Sequence, residues 1–112
     1  MLPAANRLRT AADFRETTRA GVKSARGCVV VYLSRPAEGG GAARVGVVTS
    51  KAIGGSVIRH RAARRIRGAM AQWVPRLPLG SRVVVRALPG ADKDTNLSAD
   101  VETCLNRVLE RA

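Results

Sequence analysis

One stretch decides the fold of this chain: Val57-Ile58-Arg59-His60-Arg61-Ala62-Ala63-Arg64-Arg65-Ile66-Arg67. An α-helix advances about 100° per residue, and at that step the apolar side chains of this region fall into one stripe. The stripe consists of Ile58, Ala62, Ile66, Ala69 and Trp73. The polar side chains spread around the other side, with Arg59 at the edge of the stripe. The pattern predicts a helix that packs its stripe on a sheet and presents guanidinium groups to solvent.

The flanking residues mark where this helix begins and ends. Gly54 and Gly55 break the preceding pattern, and Ser56 has a side chain that favours the N-cap position. Pro75 and Pro78 cannot continue a helix, so we expect the helix to run to about residue 73.

The strands are predicted from apolar runs rich in valine. Residues 28–33, 44–50 and 81–88 have strand length and composition, and a further short strand is predicted around residues 22–26. The glycine-rich segment 36–43 is typical of a hairpin loop. The second long strand is therefore expected to pair antiparallel with the first.

Two further helices flank these strands. Thr10 is predicted to be the N-cap of the first helix, with Asp13 at the reciprocal position of a capping box. Gly21 is predicted to end this helix. The last helix covers residues 98–111, and its apolar face consists of Val101, Leu105, Val108 and Leu109 with Cys104 beside them. The order α-β-β-β-α-β-α predicts an α/β (α+β) two-layer sandwich, and the length of 112 residues suits a single domain over 1–112.

The charge of the chain is concentrated in its middle. The chain carries 20 Lys+Arg against 8 Asp+Glu, a formal net charge of +12. Residues 39–91 hold ten Lys or Arg and no Asp or Glu, whereas a solvated surface ordinarily mixes both signs. Like charges one turn apart repel each other, and no acidic side chain of the arginine helix relieves that repulsion. A partner bearing phosphates would relieve the repulsion, so a surface that binds a polyanion is expected there.

Several classes of protein are excluded by what the sequence lacks. Cys28 and Cys104 are the only cysteines and His60 is the only histidine, so no metal site is expected. Both cysteines lie in apolar patterns typical of small core residues. No nucleophile–base pair or paired carboxylates mark a catalytic centre, so no catalytic residue is expected. No signal peptide or apolar run of about 18 residues is present, which favours a cytoplasmic protein without a membrane or small-molecule partner.

The few aromatic side chains leave two alternatives open. Trp73 lies on the apolar stripe and is predicted to anchor the core. Phe14 and Tyr32 suit the core or a ligand-binding face equally well. His60 is predicted to be a polar surface residue, because no carboxylate stands near it in sequence to orient it as a base.

The central block resembles the protein subunit of bacterial ribonuclease P. In that ribonucleoprotein, which removes the 5′ leader from precursor tRNA, the RNA subunit carries the catalytic centre. The family has a Ser-Lys-Lys-X-Gly-Asn-type turn followed by an Arg-Asn-Arg motif on a helix. Here the corresponding residues are Ser50-Lys51-Ala52-Ile53-Gly54-Gly55-Ser56-Val57, then Arg59-His60-Arg61 and Arg64-Arg65-Ile66-Arg67. Family-like spacings also occur at Arg7-Leu8-Arg9, Asp13-Phe14 and Tyr32, so the resemblance covers roughly residues 5–110.

The chain departs from the family pattern at four positions. The middle Asn of the motif is His60, the second Lys of the turn is Ala52, a basic helix position is Ala63, and an aromatic one turn after Phe14 is Thr18. A histidine can still hydrogen-bond RNA or lie flat on a base.

The resemblance implies a fold and two binding surfaces. The fold has a mixed sheet with a left-handed β-α-β crossover that carries the arginine helix, although about 98% of such connections are right-handed. The catalytic RNA would contact Arg59, His60, Arg61, Arg64, Arg65 and Arg67. A leader-binding cleft would be lined by Phe14, Tyr32, Ser50 and Lys51. The implied partners are the catalytic RNA and precursor tRNA, with Mg²⁺ on the partner RNA and no cofactor on the protein itself.

Two other functions fit a basic domain of this size. A ribosomal-type structural protein would bind rRNA without affecting the cleavage of precursor tRNA. A DNA-binding regulator would place the basic helix in a major groove, but the chain lacks the all-helical helix-turn-helix pattern.

Overall fold

The computed structural model describes residues 4–35 and 41–111. Within these residues, three helices and four strands follow one another in the predicted order. The helices are α1 (Ala11–Ala20), α2 (Ser56–Ala71) and α3 (Leu97–Arg111). The strands are β1 (Val22–Arg26), β2 (Val29–Ser34), β3 (Arg44–Val48) and β4 (Arg82–Ala87). Short 3₁₀ helices occupy Ala4–Asn6, Lys51–Ile53 and Val74–Arg76.

The four strands form one mixed sheet in the order β1-β2-β4-β3. β2 pairs antiparallel with β1 and β4, and β3 pairs parallel with β4. The predicted antiparallel pairing of β3 with β2 is wrong, because β4 lies between them. Val83, Val84 and Val85 are fully buried, and a strand buried on both faces takes a central place in its sheet. Residues 36–40 of the predicted hairpin loop lie outside the described residues.

The helices cover the two faces of the sheet unequally. α2 links the parallel strands β3 and β4 as the predicted β-α-β crossover, whose left-handed sense stays a prediction. α2 and α3 pack on the face that carries Val31 and Val85, and together they enclose the main apolar core. α1 packs on the opposite face, against β2 and β4. We call this opposite face the α1 face.

The ends of the helices follow the predicted caps in α1 but not in α2. Thr10 Oγ1 accepts a hydrogen bond from the Asp13 N–H at 3.1 Å, and Gly21 ends α1 as predicted. In α2 the N-cap is Gly55 and Ser56 is the first helical residue, so the prediction of Ser56 as N-cap is wrong. Gly55 has extended backbone angles, as an N-cap residue does, and no side chain caps the helix there.

Additional hydrogen bonds cover the two edge strands. At the β3 edge, the Leu8 N–H donates to the carbonyl oxygen of Val45 at 2.9 Å, and Arg7 forms a parallel bridge with Val45. At the β1 edge, Nη1 of Arg111 donates to the carbonyl oxygen of Lys23 at 2.8 Å.

The position of α1 depends on a glycine in β3. Gly46 pairs with Val84, and the ring of Phe14 lies directly on Gly46. A Cβ at Gly46 would lie 2.4 Å from two ring carbons of Phe14. The absence of a side chain at this position therefore determines how closely α1 approaches the sheet.

Replacement of Gly46 by alanine is expected to lower the free energy of unfolding by about 1–3 kcal/mol, since the added methyl group overpacks the contact with Phe14. Urea unfolding measures the change. Gly68→Ala is the matched control: Gly68 is an exposed residue of α2 with open space around its Cβ position, and alanine there should add about 0.5–1 kcal/mol. A Gly46→Ala protein as stable as the wild type would contradict the packing described for α1.

Candidate nucleic-acid interface

The apolar stripe of α2 fixes which side of the helix faces outward. Ala62, Ile66, Ala69 and Trp73 are buried as predicted, while Ile58 is half-buried. The rest of the helix surface carries the six polar residues predicted to contact RNA, with the half-buried Arg59 at the edge of the stripe. The structure divides them into a groove group (Arg59, His60 and Arg67), a turn group (Arg61 and Arg65), and the exposed Arg64 between the two groups.

The groove group lines a cavity of about 320 Å³ beside the N-terminal half of α2. Its remaining walls are Thr49, Ser56 and Ala63. Arg59 is half-buried, and its Nε is shielded from solvent without a hydrogen-bond partner among the described residues. Ser56, the first residue of α2, lines the cavity, so the positive end of the helix dipole lies at the groove. No acidic residue of the first turn offsets that charge. Charge, dipole and unused donors all favour an anion in this groove.

The turn group contacts the segment between β4 and α3, residues 88–96, which we call the acidic turn. Nη1 of Arg65 donates to the carbonyl oxygen of Ala91 at 3.2 Å, and Nη2 donates to that of Asp94 at 2.6 Å. Nη1 of Arg61 lies 3.8 Å from Oδ2 of Asp92. The acidic turn thus supplies the negative partner that α2 lacks in its own sequence, and both arginines contact protein in this structure.

The α1 face carries the two aromatic residues predicted to bind the leader. Tyr32 is paired with Val84, and Val84 with Gly46, so Tyr32 and the Phe14 contact lie in one row across the sheet. Both rings are half-buried, with part of each surface available. The structure therefore brings Phe14 and Tyr32 to the same face.

The other two predicted cleft residues lie elsewhere. Ser50 and Lys51 are exposed and follow the carboxyl end of β3, next to Thr49 of the α2 groove. The Ser50 carbonyl oxygen accepts the Ile53 N–H at 3.2 Å, which holds this segment in a tight turn. They occupy the border between the groove and the end of the sheet.

Sequence reasoning missed two basic residues of the α1 face. Lys23 is the β1 partner of Tyr32, and Arg86 is the β4 partner of Val30 one row away. Both are exposed. Strand alternation indicates that Arg86 shares a face with Val84, but only the register between strands places it beside Val30 and Tyr32.

Asp100 at the start of α3 is a buried carboxyl group with a perturbed pKa. Arg26 Nε donates to its Oδ1 at 3.3 Å. Burial raises the pKa of the Asp100 carboxyl, and the neighbouring Asp94 raises it further, while Arg26 acts in the opposite direction. Burial also raises the pKa of the Cys28 and Cys104 thiols, which are both free, and keeps them in the protonated form.

The part of the chain that the structure describes offers no metal centre. In residues 4–35 and 41–111, no group of three or more His, Cys, Asp or Glu side chains could hold a metal ion. No helix in these residues is long and apolar enough to cross a membrane. What the described residues do offer is a basic groove on one side of the sheet and a basic, partly aromatic face on the other.

A family model described as Ribonuclease P matches residues 2–112. The chain belongs to the ribonuclease P family. The ribonuclease P protein component of Streptomyces avermitilis is 44% identical over 118 residues, covering 97% of this chain and 96% of the relative. That of Mycobacteroides abscessus is 35% identical over 117 residues, covering 100% of this chain and 91% of the relative. The resemblance seen in the central block is therefore confirmed, and the ribosomal-type alternative is not favoured.

Solved structures of this family share the fold. The Staphylococcus aureus RNase P protein matches with a TM-score of 0.70 and 27% identity, covering 95% of this chain and 94% of the other. The Thermotoga maritima RNase P protein matches with a TM-score of 0.63 and 22% identity, covering 95% and 96%. The predicted α+β class and element order are confirmed.

Asp100→Asn should remove one contribution to the pH dependence of unfolding. The pKa of Asp100 in the folded state lies above its ordinary value of 3.8, so the folded state binds this proton more tightly than the unfolded state. The ionised carboxyl therefore costs stability at neutral pH, and that cost disappears as the pH falls through the raised pKa towards 3.8. The free energy of unfolding of the wild type, relative to Asp100→Asn, should increase as the pH is lowered.

Urea titrations between about pH 7 and pH 4 measure this difference. Glu102→Gln removes an exposed carboxylate from the same helix and serves as the control for the loss of one charge. If the free energy of unfolding of the wild type minus that of Asp100→Asn stays constant or decreases on acidification, the pKa of Asp100 is not raised.

Proposed function

We propose that this chain binds the catalytic RNA of ribonuclease P through the groove of α2 and the single-stranded leader of precursor tRNA through the α1 face. As a ribonuclease P protein component, the chain is part of a ribonucleoprotein endoribonuclease in which the catalytic role is in the RNA. The observation that carries the proposal is the groove lined by Arg59, His60 and Arg67, with its shielded and unused guanidinium donor.

The α2 surface suits a folded RNA. Guanidinium groups bind phosphate oxygens through two parallel hydrogen bonds, and three side chains of this surface, Arg59, Arg64 and Arg67, are arginines without an acidic neighbour on their own helix. An oxygen of a phosphate bound in the groove would accept a hydrogen bond from the Arg59 Nε–H, which has no partner among the described residues. The phosphate would also lie near the positive end of the α2 dipole. It would also relieve the repulsion between the arginines.

The α1 face suits a single strand. Bases stack on aromatic rings without regard to sequence, and Phe14 and Tyr32 present two half-exposed rings in one row. Lys23 and Arg86 place positive charge beside them for the phosphates. A surface that combines stacking with charge can accept leaders of many sequences, as the processing of different tRNA precursors requires. Ser50 and Lys51 at the end of β3 would contact the RNA where the two surfaces meet.

The chemistry of cleavage belongs to the RNA in this proposal. The protein neutralises RNA phosphates and binds the leader. Mg²⁺ is held by the partner RNA rather than by protein side chains. Neutralisation of phosphates lowers the repulsion between catalytic RNA and precursor tRNA, so the protein should lower the Mg²⁺ concentration at which cleavage proceeds.

Removal of the groove charges should weaken binding to the catalytic RNA and make that binding less dependent on salt. For the double variant Arg59→Gln/Arg67→Gln, the slope of log K against log salt should fall by about 1.4–1.8 if each arginine contacts one phosphate. Filter binding between about 50 and 400 mM NaCl measures the slope. Arg107→Gln, which removes an exposed arginine from α3, should leave the slope unchanged. Equal slopes for the groove variant and the wild type would refute the assignment of the groove to RNA.

Tyr32→Ala should weaken binding of precursor tRNA but not of mature tRNA, both measured with the assembled ribonucleoprotein. Loss of one stacked base costs about 1–3 kcal/mol, which corresponds to about 5- to 150-fold in affinity. Tyr32→Phe keeps the ring and should bind the leader like the wild type. If Tyr32→Ala weakens both tRNAs equally, or neither, the leader does not stack on this ring.

A further inference from the structure

The turn group of arginines is held by the protein's own backbone and carboxylates. The guanidinium of Arg65 donates hydrogen bonds to two backbone carbonyl oxygens of the acidic turn, those of Ala91 and Asp94. The Asp94 carbonyl oxygen also accepts the N–H of Leu97, the first residue of α3. Arg65 therefore connects the middle of α2 to the beginning of α3 through a single peptide group, and the residue is half-buried.

Arg61 has a different kind of partner. The side chain of Asp92 is only 6% exposed, and Oδ2 has no hydrogen-bond partner among the described residues. The charge that faces it is Nη1 of Arg61 at 3.8 Å, on a side chain that is 50% exposed. A buried carboxylate without a cation is costly, so transfer of Arg61 to an RNA phosphate would leave Asp92 unpaired.

The acidic turn also places negative charge next to this side of α2. Asp92 and Asp94 lie in the turn, and the buried Asp100 follows within the first turn of α3. Asp92 and Asp100 are buried, and the exposed Lys93 lies between Asp92 and Asp94, so an RNA phosphate on this side would have to compete with Asp92 for the Arg61 guanidinium. The opposite side of α2, with Arg59 and Arg67, has no such neighbour in its groove lining.

We propose that Arg61 and Arg65 are positioning residues that hold the acidic turn on α2, and that Asp92 withholds Arg61 from RNA. The RNA-binding surface of α2 then extends from the groove group to Arg64 and does not include Arg61 or Arg65. Asp92 acts as a specificity determinant by limiting the RNA footprint to the groove side of the helix. This inference rests on the proposed function, because it presupposes that α2 binds RNA, and it reassigns two residues that sequence reasoning had placed on the RNA surface.

The test compares single-charge variants by two readouts, the melting temperature and the salt slope of binding to the catalytic RNA. Arg64→Gln should lower the slope by about 0.7–0.9 and leave the melting temperature unchanged. Arg65→Gln should leave the slope unchanged and lower the melting temperature by about 4–8 °C or more. Asp92→Asn should steepen the slope by about 0.7–0.9, because it releases Arg61 to contact a phosphate. A purely structural role of Asp92 would not change the slope.

The double variant Arg61→Gln/Asp92→Asn provides the control. Removal of the released arginine should return the slope to the wild-type value, and removal of both charges leaves no unpaired buried carboxylate, so this variant is expected to fold even if Arg61→Gln alone does not. If Arg65→Gln lowers the slope as much as Arg64→Gln does, or if Asp92→Asn leaves the slope unchanged, the inference is overturned and the proposed function stands. If Arg64→Gln itself leaves the slope unchanged, RNA contact does not reach Arg64 and the inference is overturned, whereas the proposed function is overturned only if the groove variant Arg59→Gln/Arg67→Gln also keeps the wild-type slope.

Discussion

The burial of β4 on both faces is the constraint on which the rest of the structure depends. Val83 and Val85 point into the core beneath α2 and α3, while Val84 lies beneath the α1 face. Because neither side of this strand can face water, helices must cover the sheet on both sides. The two candidate RNA surfaces therefore form on different sides of one sheet, and the chain connects them through the crossover from β3 to β4.

Much of this arrangement is predictable from local patterns. The apolar stripe that runs from Ala62 to Trp73 indicates both the existence of α2 and its rotation, and Thr10 with Gly21 marks the ends of α1. The pairing of β3 is not predictable in this way. A glycine-rich loop between two strands favours a hairpin, but the energetic preference of β4 for the centre of the sheet is a property of the whole chain.

In the candidate site too, some features follow from the local sequence and others only from contacts between distant parts of the chain. Composition indicates a basic helix, and resemblance to the family indicates that it binds RNA. Neither shows that Asp92 and the carbonyl groups of Ala91 and Asp94 reach across to Arg61 and Arg65, since these contacts span about a quarter of the chain. Arginines that look equivalent along a helical wheel thus divide into those available to a ligand and those held by the protein.

The hydrogen bonds at the two sheet edges have a consequence for behaviour in solution. Unpaired edge strands are templates on which a second polypeptide can add a strand. The pairing of Leu8 with Val45 covers part of the β3 edge, and the Arg111 side chain occupies a carbonyl group of the β1 edge. Fewer backbone groups at these edges are therefore left to pair with a strand of a second copy, so the edge contacts oppose self-association through the sheet.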